Sequence, residues 1–465
     1  MDLFGLEETL KINLFHRLPW AGTPSTVPHC SKLHPSWPWT LPGIQGQPQL
    51  PPHPPGEELL PNIKVNLCFT LAEITHLWSV FGSISCVGDI YSPSNFYPEF
   101  QDVNHMVIFG FGFFLIVLRR YGFSSIGFNL LLIVLGVQCS VLVDDLLVFL
   151  SLQQREIGMR SLAKAVVSMT AVAISSGAVL GKASPVQLIV MTLVELIIFY
   201  VSRCINRTLL QVPEHLTLMH VHLFGAYFGL AVTSRFPAPA PGLDKHRSTP
   251  KSDLFSMLGT VFVWVFWPSF NSILADSKKQ AVLNTYLALA VSAVAAFMLS
   301  ALTSKDGKFR MTHIHSAVLA GGVTISYTAS RILQPWIAMI LGLLGSVITI
   351  LGSHSLQRCF NRALKIQDTC GVHFTFGLPA VLGAVAAVIL LVIENGIHKQ
   401  WSNLSSLGYL IFVDVGAFCQ TISTALITGL ITGLILNIKL LKAVHVSKYF
   451  DDQFYWEFPH LSVGF

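Results

Sequence analysis

What is scarce in this 465-residue chain is charge: Asp, Glu, Lys and Arg make up 11% of it, against ~25% in an average soluble domain. A soluble protein of this length needs more polar surface than that to cover itself. With 52% hydrophobic residues and a mean hydropathy of +0.61, the composition excludes a soluble enzyme, a disordered hub and a nucleic-acid binder. Paired cysteines are missing too. The eight cysteines are scattered, with no CxxC pair, which excludes a disulfide framework or a zinc site. No segment keeps the alternation that a membrane barrel needs. The N-terminus lacks the basic stretch and short apolar core of a signal peptide. What is left is a polytopic membrane protein.

Three regions follow from the pattern. Residues 1–62 form a Pro/His-rich segment, including Pro51-Pro52-His53-Pro54-Pro55, with too little apolar content to offset the entropy of ordering. Residues 63–440 form the transmembrane domain, and 441–465 a cytoplasmic tail. Within the domain, apolar runs of ~20 residues recur, each long enough to cross the hydrocarbon core as a helix. They lie near 67–88, 102–118, 123–143, 163–181, 186–202, 214–233, 254–275, 282–302, 312–330, 334–353, 369–393 and 412–438. The expected fold is therefore all-α, a membrane bundle of 11–12 transmembrane helices. The first run is the weakest, because Glu73 and His76 interrupt it.

Loop charge sets the expected orientation. With a cytoplasmic C-terminus, the inner loops hold sixteen Lys and Arg and the outer loops eight, as the positive-inside rule requires. The N-terminus is cytoplasmic as well if the first run is a span. Two N-x-S/T acceptors, Asn206 and Asn403, fall on the outer side as possible glycosylation sites.

Ionisable groups inside spans are costly and mark candidate sites. Glu214 precedes His222 by eight residues on one span, about 12 Å along the axis. Asp368 precedes His373 by five, roughly 7.5 Å. An acid at a mouth attracts cations, and a mid-membrane imidazole beyond it can exchange protons; a buried, hydrogen-bonded packing histidine is the bland alternative. His220-x-His222 and His313-x-His315 do not chelate a metal from one helix face, because residues i and i+2 point about 200° apart. No metal or other cofactor is expected. Glu195 must face another helix or water, with Lys164 on the preceding span as one possible partner. Trp264, Phe266, Trp267 and Phe270 cluster on one span, either as core or as a lumen gate able to hold a cation over a ring.

The carrying segments Gly177-Ala-Val-Leu-Gly-Lys182, His222-Leu-Phe-Gly-Ala-Tyr-Phe-Gly229, Phe266-Trp-Pro-Ser-Phe-Asn271, Ser316-Ala-Val-Leu-Ala-Gly-Gly322, Asp368-Thr-Cys-Gly-Val-His373 and the tail from Lys448-Tyr-Phe-Asp-Asp452 resemble the Rh branch of the ammonium transporter/Rh superfamily. The resemblance covers residues 100–465. It implies a trimer whose subunits each hold a narrow apolar pore lined by two facing histidines, here His222 and His373. It assigns the preceding acids to Glu214, where transporting members have Asp, and to Asp368. Of the two stacked phenylalanines that close the outer entrance, one maps to Phe270, beside Trp267, while the other position holds Val167.

The resemblance implies no enzyme but a plasma-membrane channel that recruits ammonium and conducts ammonia past the paired histidines. Its alternative is a non-conducting erythrocyte subunit, in a homotrimer or with Rh-associated glycoprotein, joined to the spectrin skeleton through ankyrin and the tail. Carbon dioxide passage is a weaker third reading.

Overall fold

The computed structural model describes residues 96–150, 158–237, 247–356, 366–398, 404–438, 441 and 444–458. The expected first span, the Pro/His-rich segment and Asn403 lie outside them. The described chain is helical throughout. α1 runs Tyr97–His105, continues through a π-turn at Met106–Gly110 and ends as Phe111–Phe114. Then come α2 (Gly122–Leu150), α3 (Met159–Ala178), α4 (Pro185–Thr208) and α5, which is bent at His220 between Glu214–Met219 and Val221–Thr233. α6 (Pro250–Ser272), α7 (Lys278–Thr303), α8 (Met311–Ile325) and α9 (Pro335–Leu351) follow. α10 opens with a π-turn, His373–Gly377, before Leu378–His398, and α11 is Leu404–Leu436.

Each of the eleven expected spans after the first therefore carries a helix among the described residues. Nine are long and apolar enough to cross a membrane. The other two have local reasons for falling short: α1 is broken by its π-turn, and α8 has 15 residues, about 22 Å of rise.

Starts are written into the sequence. Ser184 and Gln187 exchange reciprocal bonds at the head of α4 ahead of Pro185, and Thr249 and Ser252 do the same at α6 ahead of Pro250. Such boxes satisfy the orphan N–H groups of a first turn, where proline has no N–H to lose.

Burial separates centre from rim. In α3 and α5, 94% of the most apolar window is buried, against 33% in α2 and 28% in α11. Phe123, Leu130 and Val134 on α2 are exposed, as side chains facing lipid are. Close approach is made by small residues. Gly225 of α5 lies on the Ala171 backbone of α3, and Gly429 of α11 lies on the Phe228 carbonyl of α5.

The tail folds back on one end of the bundle. Asp452 accepts the N–H groups of Phe123 and Ser124, both at 2.9 Å, and so caps the first turn of α2 with a carboxylate where the helix dipole favours one. Trp456 Nε1 donates to Ser124 Oγ at 3.0 Å, and its ring covers Gly127. These contacts make the last turns of the chain part of the domain rather than an appendage.

Candidate functional site

The centre of the bundle is an aromatic cage around His222. This residue is 1% exposed and sits two positions beyond the bend in α5. Its Nδ1 faces the Met219 carbonyl at 3.4 Å. A carbonyl only accepts, so the proton belongs on Nδ1 and Nε2 keeps a bare lone pair. That Nε2 has no hydrogen-bond partner. Trp267 lies nearly parallel to the imidazole, with ring centroids 5.7 Å apart, and Phe270 meets it edge-on at 5.6 Å. The indole Nε1 of Trp267 is a second buried polar atom without a partner. Both rings are fully buried. α6 delivers them three residues apart, on the face that Pro268 shares.

The ring lying parallel to His222 from α10 is Phe376, at 6.5 Å and 13°. The expected facing histidine, His373, meets Tyr227 at 6.0 Å and Phe374 at 4.9 Å. Among the described residues, the rings against His222 are Trp267, Phe270 and Phe376. His373 is the first residue of the π-turn that also carries Phe376. His373 comes to rest beside Tyr227, five residues along α5 from His222.

Asp368 keeps its association with His373, through the backbone: Oδ2 accepts the His373 N–H at 2.9 Å. Burial pushes this carboxyl up from its usual range, against the pull of that bond and of the nearby Lys182. At the same end of the bundle a cavity of about 410 Å³ opens among Arg310, His313, His315, His354, Thr369 and Phe374. It abuts the turn that leads to His373.

At the opposite end, Glu214 is the hub of an ion-pair cluster. Lys164 Nζ lies 2.7 Å from its carboxylate, with Arg160 at 3.6 Å, Arg203 at 3.8 Å and Arg207 at 3.5 Å. Four cations converge on this one carboxylate, and Asp144 lies within electrostatic reach of the same cluster. The expected pairing of Lys164 with Glu195 is replaced, because Glu195 sits at the level of Ser175, whose hydroxyl donates to it. Ser175 is eleven residues from Lys164, about 16 Å along α3.

Asn206 is not placed as a glycan acceptor. It is 1% exposed, lies inside α4 and donates to Thr421 Oγ1 at 3.1 Å, so its amide nitrogen has no room for a sugar. His220 turns away from His222, as the i, i+2 spacing requires. Its Nδ1 faces Thr421 Oγ1 at 2.9 Å, and its ring stacks on Tyr327 at 5.4 Å.

Phe376, Tyr227 and Arg203 are the site residues that sequence reasoning passed over. Phe376 was visible only as one of two aromatics after His373, and nothing in the sequence marks a π-turn.

Comparison with known proteins places this arrangement. The Ammonium Transporter Family profile matches residues 86–452. The RH-like protein of Macaca mulatta is 44% identical over 374 residues, which is 79% of this chain and 89% of that protein. The human blood group Rh(CE) polypeptide is 41% identical over the same length, with the same shares covered. The solved Rh50 of Nitrosomonas europaea, of the Rhesus protein family of channels, superposes with a TM-score of 0.67 at 28% identity, over 78% of this chain and 93% of that one. Candida albicans Mep2 shares the fold, with a TM-score of 0.59 at 16% identity, over 77% and 87%. The chain is a multi-pass membrane protein that belongs to the ammonium transporter family.

Proposed function

We propose that this chain carries neutral ammonia across the plasma membrane through the cage around His222, and that it turns the ammonium ion away. The observation that carries the reading is the pair of unpartnered buried atoms in that cage, an acceptor at His222 Nε2 and a donor at Trp267 Nε1. Ammonia has three N–H donors and one lone pair, so it can satisfy both. Ammonium has donors only, and an indole N–H offers it nothing. The surrounding rings add a desolvation cost that falls on the ion and spares the neutral molecule.

The mouth supports the same choice. Glu214 is already held by Lys164 and three arginines, so its carboxylate is engaged by the protein's own cations. We assign Glu214 to building the mouth rather than to recruiting ammonium. Asp368 holds the α10 turn, and His373 beside Tyr227 lies further along the path as a second polar stop. No covalent step is involved. The excess of Lys and Arg in the loops on the tail side puts the tail in the cytoplasm, and the subunit works within a trimer.

The test is ammonia-driven internal alkalinisation in vesicles containing only this chain. The wild type is expected to exceed protein-free vesicles, and His222→Ala to fall to their level. A signal indifferent to His222→Ala would overturn the mechanism.

A second reading, a non-conducting subunit beside Rh-associated glycoprotein with its tail directed to ankyrin, is favoured by one observation. The cage is sealed by the buried rings of Trp267, Phe270 and Phe376. Wild-type vesicles no faster than empty ones would select it.

A further inference from the structure

Lys182 lies in the turn after α3 and is 1% exposed. A buried ammonium is expensive, and burial pulls this one down to about 8 while Asp368 works the other way. The ammonia path described above makes no use of it. Its Nζ donates to Thr233 Oγ1 at 2.9 Å and to the Gln367 carbonyl. The Thr233 hydroxyl donates to that same carbonyl at 3.2 Å. Thr233 is the last residue of α5, the helix that carries His222. Gln367 precedes Asp368, whose carboxylate holds the N–H of His373. The outer flank of the turn is closed as well. Gly181, at φ +77°, accepts the Phe450 N–H at 2.9 Å beneath the fully buried Phe450 ring.

We infer that Lys182 is a positioning residue for the central site: its ammonium clamps the Gln367–Asp368 turn to the end of α5 and so sets where His373 and Phe376 stand against His222. The inference goes beyond the proposed passage, because the clamp orients the α10 π-turn whether or not ammonia crosses. It also accounts for a buried charge. A neutral side chain here could fill the space but could not hold a carbonyl and face a buried carboxylate at once.

Lys182→Met, in the full-length chain in detergent, keeps the stem and removes the charge. Two readouts are taken, amide exchange of the 366–378 segment and the fluorine resonance of 4-fluorophenylalanine placed at position 376. Exchange in that segment is expected to quicken at least about tenfold, the scale of one lost charge-assisted hydrogen bond, with α7 and α9 unchanged. The resonance at 376 is expected to shift, although Lys182 does not touch that ring. Lys182→Met with Asp368→Asn removes both charges, is expected to exchange no faster than Lys182→Met, and is read alone if the single variant does not fold. Unchanged protection at 366–378, a loss spread evenly over the helices, or an unmoved resonance would overturn the inference. Neither readout depends on flux, so a failure of the ammonia reading and a failure of the clamp are told apart.

Discussion

Trp267→Ala is expected to lower stability by about 3–5 kcal/mol, the cost of truncating a fully buried tryptophan, and at the same time to speed ammonia passage. The indole is fully buried, stacks on His222 at 5.7 Å and meets Phe270 edge-on at 6.0 Å. Removing it deletes those contacts and leaves a void against His222 Nε2. A void lined by apolar rings alone stays dry, but this one has an imidazole acceptor in its wall, so small polar molecules gain a foothold. Thermal unfolding in detergent measures the first effect, and vesicle alkalinisation per folded protein measures the second. Trp267→Phe keeps an aromatic ring at the position but loses the orphan N–H and part of the indole's volume, so it retains more of the packing than Trp267→Ala while removing the same donor. A Trp267→Ala variant that is less stable with an unchanged rate would mean that the indole is core alone.

Gly259→Ala is expected to be the most damaging change for its size. A Cβ at this position of α6 falls on the peptide joining Phe113 to Phe114 at the end of α1, well inside contact distance. That backbone has little freedom to give way. Ser256 Oγ donates to the Phe114 carbonyl at 3.1 Å, and His315 Nε2 bonds the same carbonyl at 3.0 Å. The His315 imidazole also lies flat on the Phe114 ring, with centroids 3.8 Å apart. One added methyl must therefore separate two helices held by several contacts, at a cost of about 1–3 kcal/mol or more. The yield of monodisperse protein and its unfolding temperature are the readouts. Gly408→Ala is the control: nothing lies within 4 Å of its added carbon, and alanine favours the helix by up to ~1 kcal/mol. Equal behaviour of the two variants would contradict the packing described at the α1–α6 crossing.

The sequence carried the architecture well, because lipid makes hydropathy a direct record of span position. The expected runs from 102–118 to 412–438 all coincide with helices. Loop charge added the expected orientation. The site was legible only in part. His222 and the aromatics of α6 stood out as residues, but their sorting did not. Trp267 and Phe270 face inward, whereas Trp264 packs toward Tyr286 at 5.7 Å and Phe266 toward His105 at 5.7 Å. Which faces turn inward is decided by the crossing of α6 with its neighbours, which no periodicity records. Phe376 reaches the cage from within a π-turn, and such a turn is invisible in hydropathy. Glu214 was read from its own helix, where no cation is near. The four that surround it come from α3 and α4. Lys182 counted as an ordinary loop charge, since a loop that folds under the bundle looks like any other in sequence.

The central claim is that the cage passes ammonia and refuses ammonium. Current and internal pH, recorded together in vesicles holding only the wild-type chain as external pH is raised at constant total ammonium, test it most directly. The account predicts alkalinisation whose rate climbs with the neutral fraction, absent in His222→Ala, and no ammonium current at any pH. A steady inward current that follows total ammonium, or a rate equal to that of protein-free vesicles, would contradict it.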